Sequence, residues 1–168
     1  NAYRQLGNLQ AAEACLRREL EINANCADAA VNLGVVLQEA HRVGEAIGCY
    51  RQAIHLNPYH PILHWNYAIA SLLAGDYETG WHEYEWRWQV KHKPKPKFRQ
   101  AEWNGGDLEG RTILLYSEQG FGDSLMFVRY APLVAQRHAR AVLECPPPLK
   151  RLFAAMPELS QVVGNGEP

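Results

Sequence analysis

The segment Ser117-Glu118-Gln119-Gly120-Phe121-Gly122-Asp123-Ser124 brings together the residue types with the widest chemical reach in this chain. It follows the apolar run RTILLY and leads into a second apolar run, the pattern of a strand, a ligand-facing loop and a helix. Gly120 and Gly122 permit positive φ and a close approach of a ligand to the backbone. The start of the following helix presents free N–H groups to an anion or a hydroxyl. Asp123 has two open roles. As a helix N-cap it accepts from the N–H of residue 125 or 126 and contributes about 1 kcal/mol. As a general base it takes a proton from an acceptor hydroxyl. No Gly-Lys-Ser/Thr follows, which excludes a Walker loop, and Leu125 stands where the third glycine of a dinucleotide fingerprint belongs.

The other reactive side chains combine poorly. His60 and His64 are four apart, a metal-like spacing on a helix, but Pro61 starts that helix and no third ligand is near, so no metal is expected. No Ser-His-Asp or Cys-His set can be assembled. Cys15, Cys26, Cys49 and Cys145 form no CxxC pair and read as free thiols in a reducing compartment. With no visible signal peptide, a cytoplasmic location is expected. The longest apolar stretches, such as AIASLLA at 68–74, are too short to span a bilayer.

The elements that must position these residues follow from the whole chain. Its 168 residues are 47% hydrophobic and 21% charged, an ordinary globular composition with room for one or two domains. The net charge of −1 argues against a general nucleic-acid surface, and no nucleic-acid partner is expected. It hides one asymmetry: Lys91, Lys93, Lys95, Lys97 and Arg99 lie within a short acid-free stretch. Pro94 and Pro96 favour extended chain there. The stretch reads as a solvated linker, with an anion-binding arm as the other option. The chain starts at Asn1 in mid-pattern and ends at GNGEP, which predicts a piece of a longer protein.

A shift of 34 residues aligns the first half with itself. Ala12 falls on Ala46 and Gly80, Leu16 on Tyr50 and Tyr84, Asn32 on Asn66, and Gly7 on His41 and Gly75. Each unit holds two amphipathic segments, such as 28–40 and 44–56, and six helices are expected between residues 9 and 91. Small residues (Gly34, Ala46, Ala68, Gly80) mark close helix crossings, and large ones (Leu33, Tyr50, Tyr67) fill the gaps between. In the last unit Trp81, Tyr84 and Trp88 share one helical face and read as a packing seam, with Trp86 off it.

This pattern resembles the tetratricopeptide repeat over residues 1 to about 90, with His41 departing from the usual turn Gly, which puts the tightness of that turn in question. The resemblance implies a superhelix whose concave face binds extended peptide and is lined by the first helix of each unit. The groove set is then Asp28, Val31, Asn32, Val35, Gln38 and Glu39, followed by Ile62, Trp65, Asn66, Ile69 and Leu72. Asn32 and Asn66 hold the same place in successive repeats. An amide donates and accepts, so such a ladder can grip a peptide backbone without reading side chains. It is similar to the groove of the O-linked N-acetylglucosamine transferases. Asn can equally be a common residue at this position without that role. Asn32, Asn66, Trp65 and Gln38 are the expected peptide-binding residues.

Beyond the linker, TILLYS, AVLEC and SQVV read as strands separated by helical patterns, a β-α-β-α-β order that predicts a parallel sheet. Ligands of such sheets sit beyond the C-terminal strand ends, where the loop lies. A break near Tyr130 is expected because Pro132 has no N–H for the carbonyl of Val128. Residues 103–168 resemble the start of the catalytic region in bacterial proteins that join tetratricopeptide repeats to a heptosyltransferase-like glycosyltransferase domain. Gly120, Phe121, Gly122 and Asp123 match its Gly-x-Gly-Asp loop. The resemblance implies Asp123 as the base, with Gly120, Phe121, Gly122 and Ser124 at the substrate. It implies no cofactor beyond a nucleotide sugar as co-substrate, and a second α/β domain to hold that donor.

The expected architecture is an all-α tetratricopeptide-repeat superhelix followed by a partial α/β, Rossmann-like unit. The expected domains are repeats over 1–90, a basic Pro/Lys linker over 91–102, and a truncated glycosyltransferase-like domain over 103–168. The expected function is peptide binding attached to sugar transfer in the full-length protein, with these residues alone inactive. The alternative is a non-catalytic interaction scaffold.

Overall fold

The computed structural model describes residues 2–90, 95–96 and 98–166. Most of the Lys/Pro stretch lies outside the described residues, so neither reading of it meets a structure. Two compact units divide the chain, Asn1–Lys97 and Phe98–Pro168.

The first unit is helical: α1 (Ala2–Gln5), α2 (Leu9–Ile22), α3 (Ala27–Glu39), α4 (Val43–Leu56), α5 (Pro61–Leu73) and α6 (Tyr77–Tyr84). Consecutive helices pack on one another. Ala12, Ala46 and Gly80 are buried at equivalent crossings. A Cβ at Gly34 would lie 2.5 Å from Tyr50 Cε1, and one at Gly80 would lie 2.6 Å from Leu72 Cδ2. The 34-residue alternation of small and large residues is therefore a packing code, in which each glycine accommodates a large neighbour.

The turn at His41 is as tight as its glycine counterparts. Gly7, His41 and Gly75 all take the left-handed conformation, with φ of 74°, 60° and 83°. Each turn closes the same way. His41 N–H donates to Gln38 O at 3.0 Å and Arg42 N–H to Leu37 O at 2.8 Å, as Gly75 and Asp76 do to Leu72 and Ser71. His41 holds this shape against its own Cβ and lies exposed. His41→Gly is expected to raise stability by about 0.5–1 kcal/mol by relieving that strain. A thermal midpoint at or below the parent's would show that the His side chain contributes something the turn geometry does not reveal.

Among the described residues, five α-helices lie between residues 9 and 91, where six were expected. After Tyr84 the last segment tightens into a 3-10 turn, Glu85–Gln89. That change redirects the aromatic residues. Trp86 stacks on the buried His64 ring, with centroids 3.9 Å apart. Trp81 remains half exposed and meets Tyr84 edge-on. Trp86, which helical spacing had placed outside the seam, thus makes the stacking contact with α5.

An ion network joins α2 to the start of α4. The Arg42 guanidinium meets Glu13 and both carboxylate oxygens of Glu45, each at 2.7 Å, and Arg17 donates to Glu13 at 2.8 Å. Arg17, then Arg42, hold the Glu13 carboxyl below the usual carboxylate range. Arg42 does the same to Glu45.

The second unit contains β1 (Thr112–Tyr116), α7 (Phe121–Phe127), α8 (Ala131–Ala135), β2 (Arg140–Cys145), α9 (Lys150–Phe153) and β3 (Leu159–Gly164). The strands form a parallel sheet in the order β1-β2-β3, with Ile113 beside Ala141 and Leu143 beside Val162. The chain steps the same way twice, so right-handed crossovers place both helical connections on one face. The core agrees: Ile113, Ala141, Leu143 and Cys145 cluster with Ala131, Leu149 and Phe153. Leu114, Val142 and Glu144 point to the other face and are less buried.

The expected break is present. A 3-10 turn, Val128–Tyr130, separates α7 from α8, and the Val128 carbonyl accepts from Ala131 N–H in place of Pro132. The structure describes a small three-stranded parallel sheet here.

Candidate functional site

Two surfaces gather the residues singled out above, one in each unit. In the first, α3 and α5 touch, and each presents a solvent-facing stripe. On α3 the stripe is Asp28, Val31, Asn32, Val35, Gln38 and Glu39. On α5 it is Ile62, Trp65, Asn66, Ile69 and Leu73, with Ile62 47%, Trp65 38% and Leu73 62% exposed, whereas Leu72, expected on this face, turns its side chain against Gly80 of α6. Helical periodicity puts these positions on one face because the opposite face must pack on α2, α4 and α6.

Asn32 is exposed and Asn66 half-buried, and among the described residues neither amide meets a side-chain or backbone partner. Gln38 differs. Its Oε1 accepts from the Tyr50 hydroxyl at 3.3 Å, so this amide is partly committed to the core. Burial pushes the Tyr50 phenol well above its ordinary pKa, and its proton stays in place. Leu73 was missed as a stripe residue, although the 34-residue shift places it on Glu39.

The His60/His64 pair is not a chelating site. His64 is buried and both its ring nitrogens are engaged, Nδ1 with Glu83 and Nε2 with the Pro58 carbonyl at 2.9 Å. A carbonyl only accepts, so Nε2 carries a proton and cannot ligate a metal. His60 Nδ1 is buried without a hydrogen-bond partner. None of the four cysteines forms a disulfide, and burial pushes the Cys49 thiol up, away from reactivity.

In the second unit the loop leaves the C-terminal end of β1, as a parallel sheet requires of a ligand-facing loop. Its details differ from expectation. The helix begins three residues earlier than an Asp123 cap would need. Gly120 is the N-cap, and Asp123 sits inside the first turn. Asp123 is thus not the cap. A carboxylate in the first turn still favours the helix dipole. Neither Gly120, with φ −74°, nor Gly122 uses positive φ. What the glycines provide is room: nothing lies within 4 Å of a Cβ placed on Gly122. Ser124 is buried, and its hydroxyl donates to the Gly120 carbonyl at 3.0 Å, so it braces the turn and does not face a ligand. Asp123 is exposed, and so is Phe121, at 52%.

The geometry defines a class: a helical-repeat unit with an open two-helix face, joined to a parallel α/β unit. The family model of the tetratricopeptide repeat matches residues 1–61 and again 36–80. The first unit carries tetratricopeptide repeats. Protein FlbA of Caulobacter vibrioides is 33% identical over 71 residues, which is 41% of this chain and 12% of FlbA. The match therefore spans a small part of that relative. Among solved structures, MamA superposes with a TM-score of 0.50 at 23% identity, over 52% of this chain and 52% of its own. The second repeat domain of Spaghetti (RPAP3), bound to the HSP90 peptide SRMEEVD, gives 0.52 at 18% identity, over 54% of this chain and 84% of its own. At these identities both similarities speak for the fold. No described helix is long and apolar enough to cross a membrane. Among the described residues, no group of three or more His, Cys, Asp or Glu could hold a metal ion.

Proposed function

We propose that the first unit binds an extended peptide along the joined faces of α3 and α5, and that residues 103–168 begin a Rossmann-like domain that transfers a sugar from a nucleotide donor. The observation that carries the first part is the pair Asn32 and Asn66. They occupy equal places in successive repeats, on touching helices, with amides that no other described group engages. Each offers a donor and an acceptor to a peptide backbone, and Trp65 offers a flat apolar surface beside them. The peptide seen on the RPAP3 domain supports such an occupant for this fold.

Replacing both asparagines by Ala is expected to weaken binding of an identified partner peptide about 10-fold or more, taking roughly 1 kcal/mol for each lost hydrogen-bonding side chain. Isothermal titration reads it directly. Unchanged affinity would remove the ladder and leave Asn as a mere preference of the repeat.

The sugar-transfer part rests on the match of Gly120, Phe121, Gly122 and Asp123 to the family loop, and on a carboxylate standing free at the end of β1. On this reading Asp123 is the base for the acceptor hydroxyl, and the donor nucleotide sits on a second α/β domain. The competing reading, an interaction scaffold without activity, is favoured by the exposure of Gly120, Phe121, Gly122 and Asp123 alike, since a base works best in a site that excludes water. The cytoplasm is the location we propose for either.

A further inference from the structure

The two groove helices differ in charge from what an acidic peptide needs. Neither α3 nor α5 contains a Lys or Arg, and every lysine of the chain lies at or after Lys91. The α3 stripe contributes two carboxylates, Asp28 and Glu39. Glu39 is already answered by Arg4 of α1 at 3.2 Å. Asp28 is exposed and has no ion pair among the described residues. The α5 stripe carries no charge. It places Ile62, Trp65 and Leu73 in solvent, at the repeat positions where α3 has Asp28, Val31 and Glu39. The single histidine of α5, His64, is turned into the core against Glu83 and Trp86.

Resting on the peptide-groove reading, we infer that the occupant is a cationic, apolar segment, its aliphatic or aromatic side chains on Ile62, Trp65 and Leu73 and a Lys or Arg toward Asp28. The Asn32–Asn66 pair holds the backbone in either case, so side-chain selection falls to the flanks. An acidic segment like the SRMEEVD peptide of the RPAP3 domain would meet no cation on these helices and would face the Asp28 carboxylate. Like charges facing one another across a contact disfavour the wrong partner more reliably than opposite charges reward the right one.

The test uses three fluorescein-labelled decapeptides of equal Leu and Phe content. One carries two Lys, one two Glu and one two Ser, and each is titrated against the chain by fluorescence polarisation. The Lys peptide is expected to bind about tenfold tighter than the Glu peptide at low salt, with the gap shrinking near 0.5 M salt as surface charges are screened. Asp28→Lys is expected to reverse the order. Asp28→Asn, which keeps size and helix position, is expected to narrow the gap about threefold. Trp65→Ala should weaken all three peptides alike. Equal affinities, or a tighter Glu peptide, overturn the charge inference and leave the groove standing. Binding of none of the three overturns the groove reading, and the inference falls with it.

Discussion

Tyr50→Ala is expected to cost about 3–5 kcal/mol of unfolding free energy, the range for emptying a large aromatic site in a packed core. Tyr50 is 1% exposed. Its ring lies against Gly34 so closely that a methyl there would fall 2.5 Å from Cε1. The crossing of α3 and α4 is thus built from one residue with no side chain and one with a large ring. Gly34→Ala attacks the same contact from the other side. The ring is enclosed by the core, so overpacking should cost about 1–3 kcal/mol. The two changes are not additive. With the ring gone, the methyl added by Gly34→Ala enters vacated space, and the double variant should be less destabilised than the sum of the singles. Tyr50→Phe removes only the hydroxyl's bond to Gln38 and should cost about 1 kcal/mol. Urea unfolding followed by far-ultraviolet circular dichroism measures all four. A Tyr50→Ala midpoint equal to the parent's would mean that this crossing does not hold the repeats together.

The second large effect concerns Asp123 and rests on the proposed sugar transfer. In the full-length protein Asp123→Asn should lower the transfer rate about 10²–10⁴-fold, the usual contribution of a general base. Because Asp123 sits inside the first turn, with Gly120 as the cap, stability should change little. The amide loses only the dipole interaction, roughly 0.3–1 kcal/mol for an exposed site. Asp123→Ala should behave the same way in both assays. That similarity is the sharper prediction, since a capping Asp would make the Ala variant unfold earlier than the Asn variant. Full activity in Asp123→Asn would show that Asp123 is not the base, and no transfer by the full-length parent would leave the scaffold reading. Sugar transfer by residues 1–168 alone would remove the need for a separate donor domain.

The repeat was legible because its physics is periodic. Ala12, Ala46 and Gly80 sit at one crossing position, and Gly7, His41 and Gly75 at one turn, so a single shift exposes both. The strands were legible too, since TILLY and AVLEC are largely apolar and β-prone, the first bounded by Arg111 and Ser117 and the second by Arg140 and Pro146. Legibility ended where periodicity did. Tyr84 to Gln89 continues a helical pattern in sequence, but Glu85–Gln89 tightens to a 3-10 turn in which Trp86 stacks on the buried His64, a tertiary contact that spacing within the segment does not reveal. Asp123 resembled a cap because Asp favours that place, yet local propensity shifts helix starts by a few residues, and here Gly120 holds the position. The free amides of Asn32 and Asn66 could be aligned in sequence. Their freedom from partners could not, because it depends on which groups of neighbouring helices reach them.

The one-sided covering of the β1-β2-β3 sheet has a consequence for synthesis. The repeats meet mainly their nearest neighbours and can close as they leave the ribosome. β1 must wait for β2, which arrives only after the whole crossover from Tyr116 to Arg140 has been translated. During that interval Phe121, Met126 and Leu133 have nothing to pack on, and they stay about half exposed even in the finished unit. A chaperone that selects extended apolar chain would therefore engage this chain late, after the repeats are already shut. When chaperone supply runs short, aggregates should form through the α/β segment while the repeats inside them keep their native helices.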